Sequence, residues 1–399
     1  MNNIKNLELV SNELFNAIRD IFKNNVYATK AIKISLKANR SWDDTRRGFF
    51  SDTVYDITRY WRLLWYLTKK EPSFKYKDLE QILNAYLFYK GEKVNRSEEL
   101  TDRLSSARKI RAIHESIPDW LDELCLKELG KKWNNVLKAL NQKPDLIIRV
   151  NSLKNTRDEL IDILKNEGVQ AEKIDYSPDV LIVKDRINIF RLKSFKEGLF
   201  EMQDAASQMI SHFLDPKPGM LVVDACAGEG SKTLHLAALM KNRGRIIVMD
   251  IEEWKLIELK RRSKRAGAFN IETRPLTSSK SYKRLKGKVD KLLLDVPCSG
   301  LGTLKRNPDI KWKLTLSDLD RLKKLQSEIL NRYCNLLKIG GQAVYSACSI
   351  LPSEGEGQIK AFLEKQGNYF NLIKEKRYWP DVDNTDGFYM ALIERKEVI

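Results

Sequence analysis

The sequence predicts a multidomain chain. Its C-terminal part is an α/β domain on a Rossmann-like, mostly parallel sheet, preceded by a small α+β module and an all-α N-terminal domain. Three observations carry this. From residue 199 onward, short apolar runs alternate with longer amphipathic stretches, the strand-then-helix rhythm of an open sheet covered on both faces. Over residues 1–140, apolar side chains recur at helical spacing. Residues 141–198 change character, with short strand-like runs around one helix. A chain of 399 residues is also too long for one ordinary domain.

In the N-terminal part the helical pattern is clearest in ELFNAIRDIF, ITRYWRLLWYL and LEQILNAYLF, with Asn39–Trp42 and Pro72 falling between such runs. Trp61, Trp65 and Tyr66 are placed to fill a bundle core. In the middle module PDLIIRVNSL reads as a strand, Thr156 to Glu167 as a helix ended by Asn166–Gly168, and PDVLIVKD and INIFRL as two more strands. In the C-terminal domain MLVVDA runs through a glycine-rich turn into SKTLHLAALM. IIVMD, the helix IEEWKLIELKRRSKRAG, KLLLDV, a helix over 317–337, QAVYSAC, EGEGQIKAFLEKQG and the closing strand FYMALIE follow. Ligands of such sheets bind beyond the carboxyl ends of the strands. Asp224, Asp250, Asp295 and Cys348 all fall at such ends.

Composition narrows the function. Seventy-one basic side chains against 54 acidic ones leave a net charge of +17, which predicts a polyanionic partner, nucleic acid before an acidic membrane. The five cysteines are odd in number, widely spaced and without a CxxC pair. That argues against a disulfide framework and for a reduced, cytoplasmic setting. The three histidines lie far apart in sequence, so no metal site is expected. No apolar run approaches the length of a membrane helix, and the N-terminus does not resemble a secretory signal.

The turn Asp224-Ala225-Cys226-Ala227-Gly228-Glu229-Gly230 follows the first strand of the sheet. Its glycines let a ligand approach the backbone. A dinucleotide fingerprint would place a third glycine at 233, where Thr233 stands. Asp250, ending the next strand, is placed to accept from a ribose diol. This pattern points to a class I methyltransferase using S-adenosylmethionine rather than to a nicotinamide enzyme. Two further strand ends carry cysteines, in Asp295-Val-Pro-Cys298 and Tyr345-Ser-Ala-Cys348. Cys125, Cys226 and Cys334 read as packing residues. A thiolate adding to carbon 6 of a pyrimidine makes carbon 5 nucleophilic toward a sulfonium methyl, and a second group can assist release. Asp295 is a candidate to bind the cytosine amine and ring nitrogen, with Lys232 as a second polar contact.

The residues resemble those of the RNA cytosine-5 methyltransferases of the Sun/Fmu and NOP2/NSUN kind. The matching pieces are EGLFEMQDAASQMI (197–210), DACAGEGSKT (224–233), LLLDVPCSGLGTLKRNPDIKW (292–312), YSACSILPSEGE (345–356) and DGFYMALIE (386–394). The resemblance implies that Cys348 is the nucleophile and that Cys298 assists release. It places the family's motif lysine and aspartate on Lys232 and Asp295. It puts Asp224, Ala225, Cys226, Ala227, Gly228, Gly230, Lys232, Asp250 and Asp295 around S-adenosylmethionine. RVNSLKNTRDELIDILKNEG (149–168) resembles the small RNA-recognition-like module of that family, with Arg149 and Asn151 as RNA contacts. The N-terminus looks more loosely like a NusB-like RNA-binding domain. Glu229, Ala347 and Thr277 depart from the family pattern.

Two basic segments are candidates for RNA. KLIELKRRSKR (255–265) reads first as the solvent face of a helix. KRNPDIKWK (305–313) adjoins the Cys298 turn and offers Arg306 and Lys311 to the RNA backbone, with Trp312 to stack or to anchor the loop. The resulting expectation is a monomeric, cytoplasmic enzyme making 5-methylcytosine in ribosomal RNA, most directly 16S rRNA. The rivals are the same chemistry on transfer RNA and a noncatalytic RNA-binding assembly factor.

Overall fold

The computed structural model describes residues 2–175, 177–185, 187–277 and 280–397. They divide into two compact units: residues 1–143 with 303–314, and residues 144–302 with 315–399.

The first unit is helical, as the periodicity predicts. Helices Asn2–Phe22, Ala28–Ala38, Asp44–Arg59, Trp61–Thr68, Tyr76–Tyr89 and Ser97–Ala107 pack around Leu14, Phe50, Val54, Ile57, Leu63 and Trp65. Each such aliphatic side chain stabilises the unit by roughly 2 kcal/mol through burial. Phe22 stacks on Trp61 with ring centroids 3.9 Å apart, so Trp61 and Trp65 are core residues. The segment from Thr303 to Leu314 belongs to this helical unit rather than to the sheet domain from which the sequence order suggests it.

The second unit contains two sheets. The smaller one has order β2-β3-β1-β4, with β1 Leu146–Val150, β2 Ala171–Lys173, β3 Val180–Val183 and β4 Phe200–Met202. All of its pairings are antiparallel. Helix Arg157–Asn166 packs on it, started by a capping box between Thr156 and Glu159. INIFRL is not a strand. Ile189–Arg191 forms a 3-10 turn, because the Asn188 side chain accepts the Phe190 amide at 3.2 Å and holds the chain in a bend. The strand position beside β1 goes to Phe200–Met202.

The larger sheet runs β10-β11-β9-β8-β5-β6-β7. Its strands are β5 Leu221–Asp224, β6 Arg245–Asp250, β7 Ile271–Pro275, β8 Val289–Asp295, β9 Leu337–Ala347, β10 Phe370–Tyr378 and β11 Phe388–Arg395. The five strands from β9 to β7 are parallel, and β10 and β11 form an antiparallel edge. Val222, Val223, Ile246, Ile247, Leu292 and Leu293 are buried, so these strands read as continuous apolar runs. β5 lies between β6 and β8, where the strand order reverses. A ligand crevice opens at such a point beyond the strand ends. Among the described residues, no helix is long and apolar enough to cross a membrane.

Two of the histidines that are distant in sequence meet in this unit. His212 and His235 both donate through Nε2 to Asp179 Oδ2, at 2.7 and 2.9 Å. Burial pushes His235 down to about 3.

Candidate active site

The parallel register of β8 and β9 sets Asp295 opposite Ser346. The two turns leaving these strands therefore emerge side by side. This brings Cys298 and Cys348, fifty residues apart in sequence, to a Sγ–Sγ distance of 3.2 Å. Sharing a hydrogen bond with Cys348, together with burial, pushes the Cys298 thiol well up. Cys298 thus stays protonated at neutral pH, a proton-bearing partner beside Cys348. Cys125 and Cys334 are buried in packing positions, as their apolar surroundings in sequence suggest.

Beside the thiols, Lys232 Nζ donates to Asp295 Oδ2 at 2.7 Å, and the Ser346 hydroxyl donates to Oδ1 at 2.8 Å. Burial opposes the Lys232 charge, but Asp295 more than offsets it, aided by Cys348 and Asp224, so the ammonium is stabilised. The Lys232 ammonium also lies 5.4 Å from the Phe388 ring centroid. The sequence marked Lys232 and Asp295 but not Ser346 or Phe388.

The glycine-rich turn follows β5 into helix Ser231–Leu239. Gly228 donates its amide to Asp250 Oδ2 at 2.8 Å, and the Glu252 amide reaches Oδ1 at 2.9 Å. Gly230 has φ +83°, and a Cβ there would strike the Leu259 side chain. Thr233, standing where a dinucleotide fold wants glycine, donates its hydroxyl to Asp224 Oδ2 at 2.7 Å. Asp224 Oδ1 is buried and accepts no hydrogen bond from the described residues. Burial pushes this carboxyl up to about 7, with Thr233 opposing. Arg262 braces the turn: it donates to the Glu229 carbonyl at 2.9 Å and to Ser231 Oγ at 3.0 Å, and it pairs with buried Glu201 at 2.9 Å. Its guanidinium also stands 4.0 Å from the Glu229 carboxylate, countering the charge that departs from the family pattern.

Several residues expected to meet RNA are committed elsewhere. Lys311 is only 1 % exposed, and its ammonium donates to the Arg59 carbonyl at 2.9 Å and to Asn141 Oδ1 at 3.4 Å. Burial pushes its pKa well down. The Trp312 indole N–H donates to the Thr58 carbonyl at 2.7 Å, so Trp312 anchors the segment, which forms the short helix Ile310–Lys313 rather than a loop. Arg149 is 2 % exposed, inside the small sheet. Asn151 is buried and donates to the Gly198 and Ala266 carbonyls at 2.7 and 2.8 Å. On helix Glu253–Ala266, Arg262 and Arg265 are turned inward onto Glu201, while Lys260 and Lys264 face solvent. Thr277 is exposed.

A family model described as 16S rRNA methyltransferase RsmB/F matches residues 211–394, and one for an RsmF/B-like ferredoxin-like domain matches residues 117–190. The ribosomal RNA small subunit methyltransferase B of Vibrio vulnificus is 30 % identical over 327 residues, which are 80 % of this chain and 74 % of that protein. This chain belongs to that family. Its members are S-adenosylmethionine-dependent RNA cytosine-5 methyltransferases. The probable ribosomal RNA small subunit methyltransferase B of Synechocystis sp. is 36 % identical over 297 residues, 72 % of this chain. The chain spans 65 % of that relative's length. The crystal structure of PH0851 superposes with a TM-score of 0.80 at 26 % identity, covering 96 % of this chain and 97 % of that one. NSun6 from Pyrococcus horikoshii shares the fold, with a TM-score of 0.64 at 23 % identity over 70 % of this chain and 98 % of that one.

The turn fits the family's cofactor. S-adenosylmethionine carries ribose hydroxyls and an ammonium group as donors. The unpartnered Asp224 Oδ1 and the Asp250 carboxylate are acceptors set at adjacent strand ends.

Proposed function

We propose that this chain methylates carbon 5 of a cytosine in ribosomal RNA, 16S rRNA in particular. The observation that carries this is the thiol pair, 3.2 Å apart beside the Lys232–Asp295 ion pair. S-adenosylmethionine supplies an electrophilic methyl group on a sulfonium. Asp224, Asp250 and the turn from Ala225 through Gly230 hold it. The target base leaves its stack to reach the crevice. Asp295 receives the cytosine amine, its carboxylate held in orientation by Lys232 and Ser346. Cys348 adds as thiolate to carbon 6, and the electron pair released onto carbon 5 would take the methyl group as the sulfonium–methyl bond breaks, leaving its pair on the cofactor's sulfur. Carbon 5 then gives its proton to water, the C–H pair forms the 5,6 double bond, and the Cys348–carbon 6 bond breaks with its pair returning to the Cys348 sulfur. Cys298, held as a thiol, assists that release.

Residues 1–140 serve as the helical RNA-binding domain, 141–198 as the RNA-recognition-like module, and 199–399, apart from the 303–314 segment that joins the helical unit, as the catalytic domain. Arg306, half-buried on the 303–314 segment, is the remaining candidate for a phosphate contact. The enzyme acts as a cytoplasmic monomer. The test is incubation with methyl-labelled S-adenosylmethionine and 16S rRNA, followed by mass mapping. One methylated cytosine, absent with Cys348→Ala, is expected. Label appearing only in transfer RNA would overturn the substrate, and label in neither RNA would overturn the reaction.

A further inference from the structure

We propose that Glu354 is a positioning residue that sets the separation of the two reactive thiols by clamping the residue after each cysteine. The inference rests on the reading of Cys298 and Cys348 given above.

Glu354 closes the short turn Pro352–Glu354, between the Cys348 turn and helix Glu356–Gln366, and is 0 % exposed. Burying a carboxylate costs several kcal/mol unless its oxygens are multiply bonded. Among the described residues, no lysine or arginine pairs with Glu354; four neutral donors satisfy it instead. Oε1 accepts the Ser299 amide and Gln326 Nε2, each at 2.9 Å. Oε2 accepts the hydroxyls of Ser299 and Ser349, each at 2.5 Å. The Tyr345 hydroxyl holds the Glu354 carbonyl at 2.7 Å.

Ser299 follows Cys298, and Ser349 follows Cys348. The same Cys-Ser pair thus leaves two neighbouring strands, and in each the serine fastens to one carboxylate while the thiols meet each other. Gln326 ties the clamp to helix Leu316–Tyr333 and also donates to the Pro297 carbonyl at 3.0 Å. Both turns therefore move only together. The Glu354 charge adds to the causes that keep Cys298 protonated, behind Cys348 itself and burial. One side chain thereby favours both the spacing of the thiols and their division of labour.

The test separates the clamp from the reaction. Phenylarsine oxide condenses with two adjacent thiols, forming two As–S bonds and releasing one water, so it reads their spacing without RNA. Cys298→Ala in the full-length chain defines the background. In Glu354→Ala, we expect arsenical capture at least about ten-fold slower, and kcat about 100-fold lower with the KM for RNA within about three-fold, as expected for misplaced reacting groups. In Glu354→Gln, the amide can accept from Ser299 N and Gln326 and donate to both serine hydroxyls. Capture should stay within about three-fold of wild type, while the pH profile of adduct release moves to lower pH because the charge is gone. Should Glu354→Ala not fold, the double variant Ser299→Ala, Ser349→Ala replaces it, with the same loss of capture expected. Wild-type capture and kcat in the clamp-breaking variant would overturn the proposal, as would an unmoved pH profile in Glu354→Gln. If wild type methylates no RNA, the reading of the reaction fails and the arsenical measurements alone decide the clamp.

Discussion

The Cys298 turn and the segment from Thr303 to Leu314 are near neighbours in the chain, and both carry residues expected to meet RNA. They end in opposite roles. Cys298 and Cys348 stand half-buried at adjacent strand ends, 3.2 Å apart. Lys311 and Trp312 direct their polar atoms to the backbone carbonyls of Arg59 and Thr58. The difference teaches what a sequence position can promise. A residue just past a parallel strand is delivered to the crevice by the ladder of its neighbours, so its location follows from the element pattern. A basic residue outside such a ladder carries no such guarantee, because a distant carbonyl can satisfy it as well as solvent or phosphate can.

Four substitutions would break or sharpen this contrast. The largest effect is expected at the turns: Cys348→Ala should lower methyl transfer at least about 1,000-fold, while the thermal midpoint barely moves. Loss of fold rather than of rate would place Cys348 with the packing residues. Next comes Gly302→Ala. The Gly302 amide donates to the Cys348 carbonyl at 3.0 Å, and a Cβ there would overlap the Gly387 carbonyl. Overpacking of this kind costs about 1–3 kcal/mol, and arsenical capture by the thiol pair should fall with it. Unchanged capture would show that the Cys348 turn is held without Gly302.

On the other side of the contrast, Trp312→Ala should cost the helical unit about 2 kcal/mol in urea unfolding and leave arsenical capture intact. A variant of wild-type stability but weakened RNA binding would return Trp312 to the RNA surface. The smallest effect concerns pH. Burial holds Lys311 well below its unfolded pKa, so the unfolded chain keeps that proton more firmly. Stability from this group therefore rises with pH up to the unfolded value of about 10.4. Lys311→Met should remove that rise, which amounts to at most about 1.4 kcal/mol per pH unit. Urea midpoints of the two proteins that stay parallel from neutral to alkaline pH would show that Lys311 is not desolvated.

Much of the site was legible because its residues are tied to local pattern. Asp224, Asp250, Asp295, Cys298 and Cys348 each follow a short apolar run, and the strand-then-helix order dictates where such ends gather. Lys232 was marked by its place in the turn. Glu354 was not marked, because its partners Ser299, Ser349 and Gln326 come from three separate elements, and no local pattern brings them to one carboxylate. The repeated Cys-Ser pair was the one signal available. INIFRL misled because apolar content was read as a strand, whereas the Asn188 side chain bends the backbone. That His212 and His235 share Asp179 was not legible, because sequence distance conceals the contact.

The sequence by itself determined the class of each part, the sheet domain, the glycine-rich turn and the placing of two cysteines at strand ends. These depend on period, on glycine at a turn and on the chemistry of single side chains. Only the tertiary structure decided which charges face solvent, which carboxylate ties the thiols together, and that the basic segment after Gly302 is spent on the helical unit. Those outcomes depend on which distant donor finds which acceptor once water is excluded, and the free energy of that pairing is shared among residues from several elements at once.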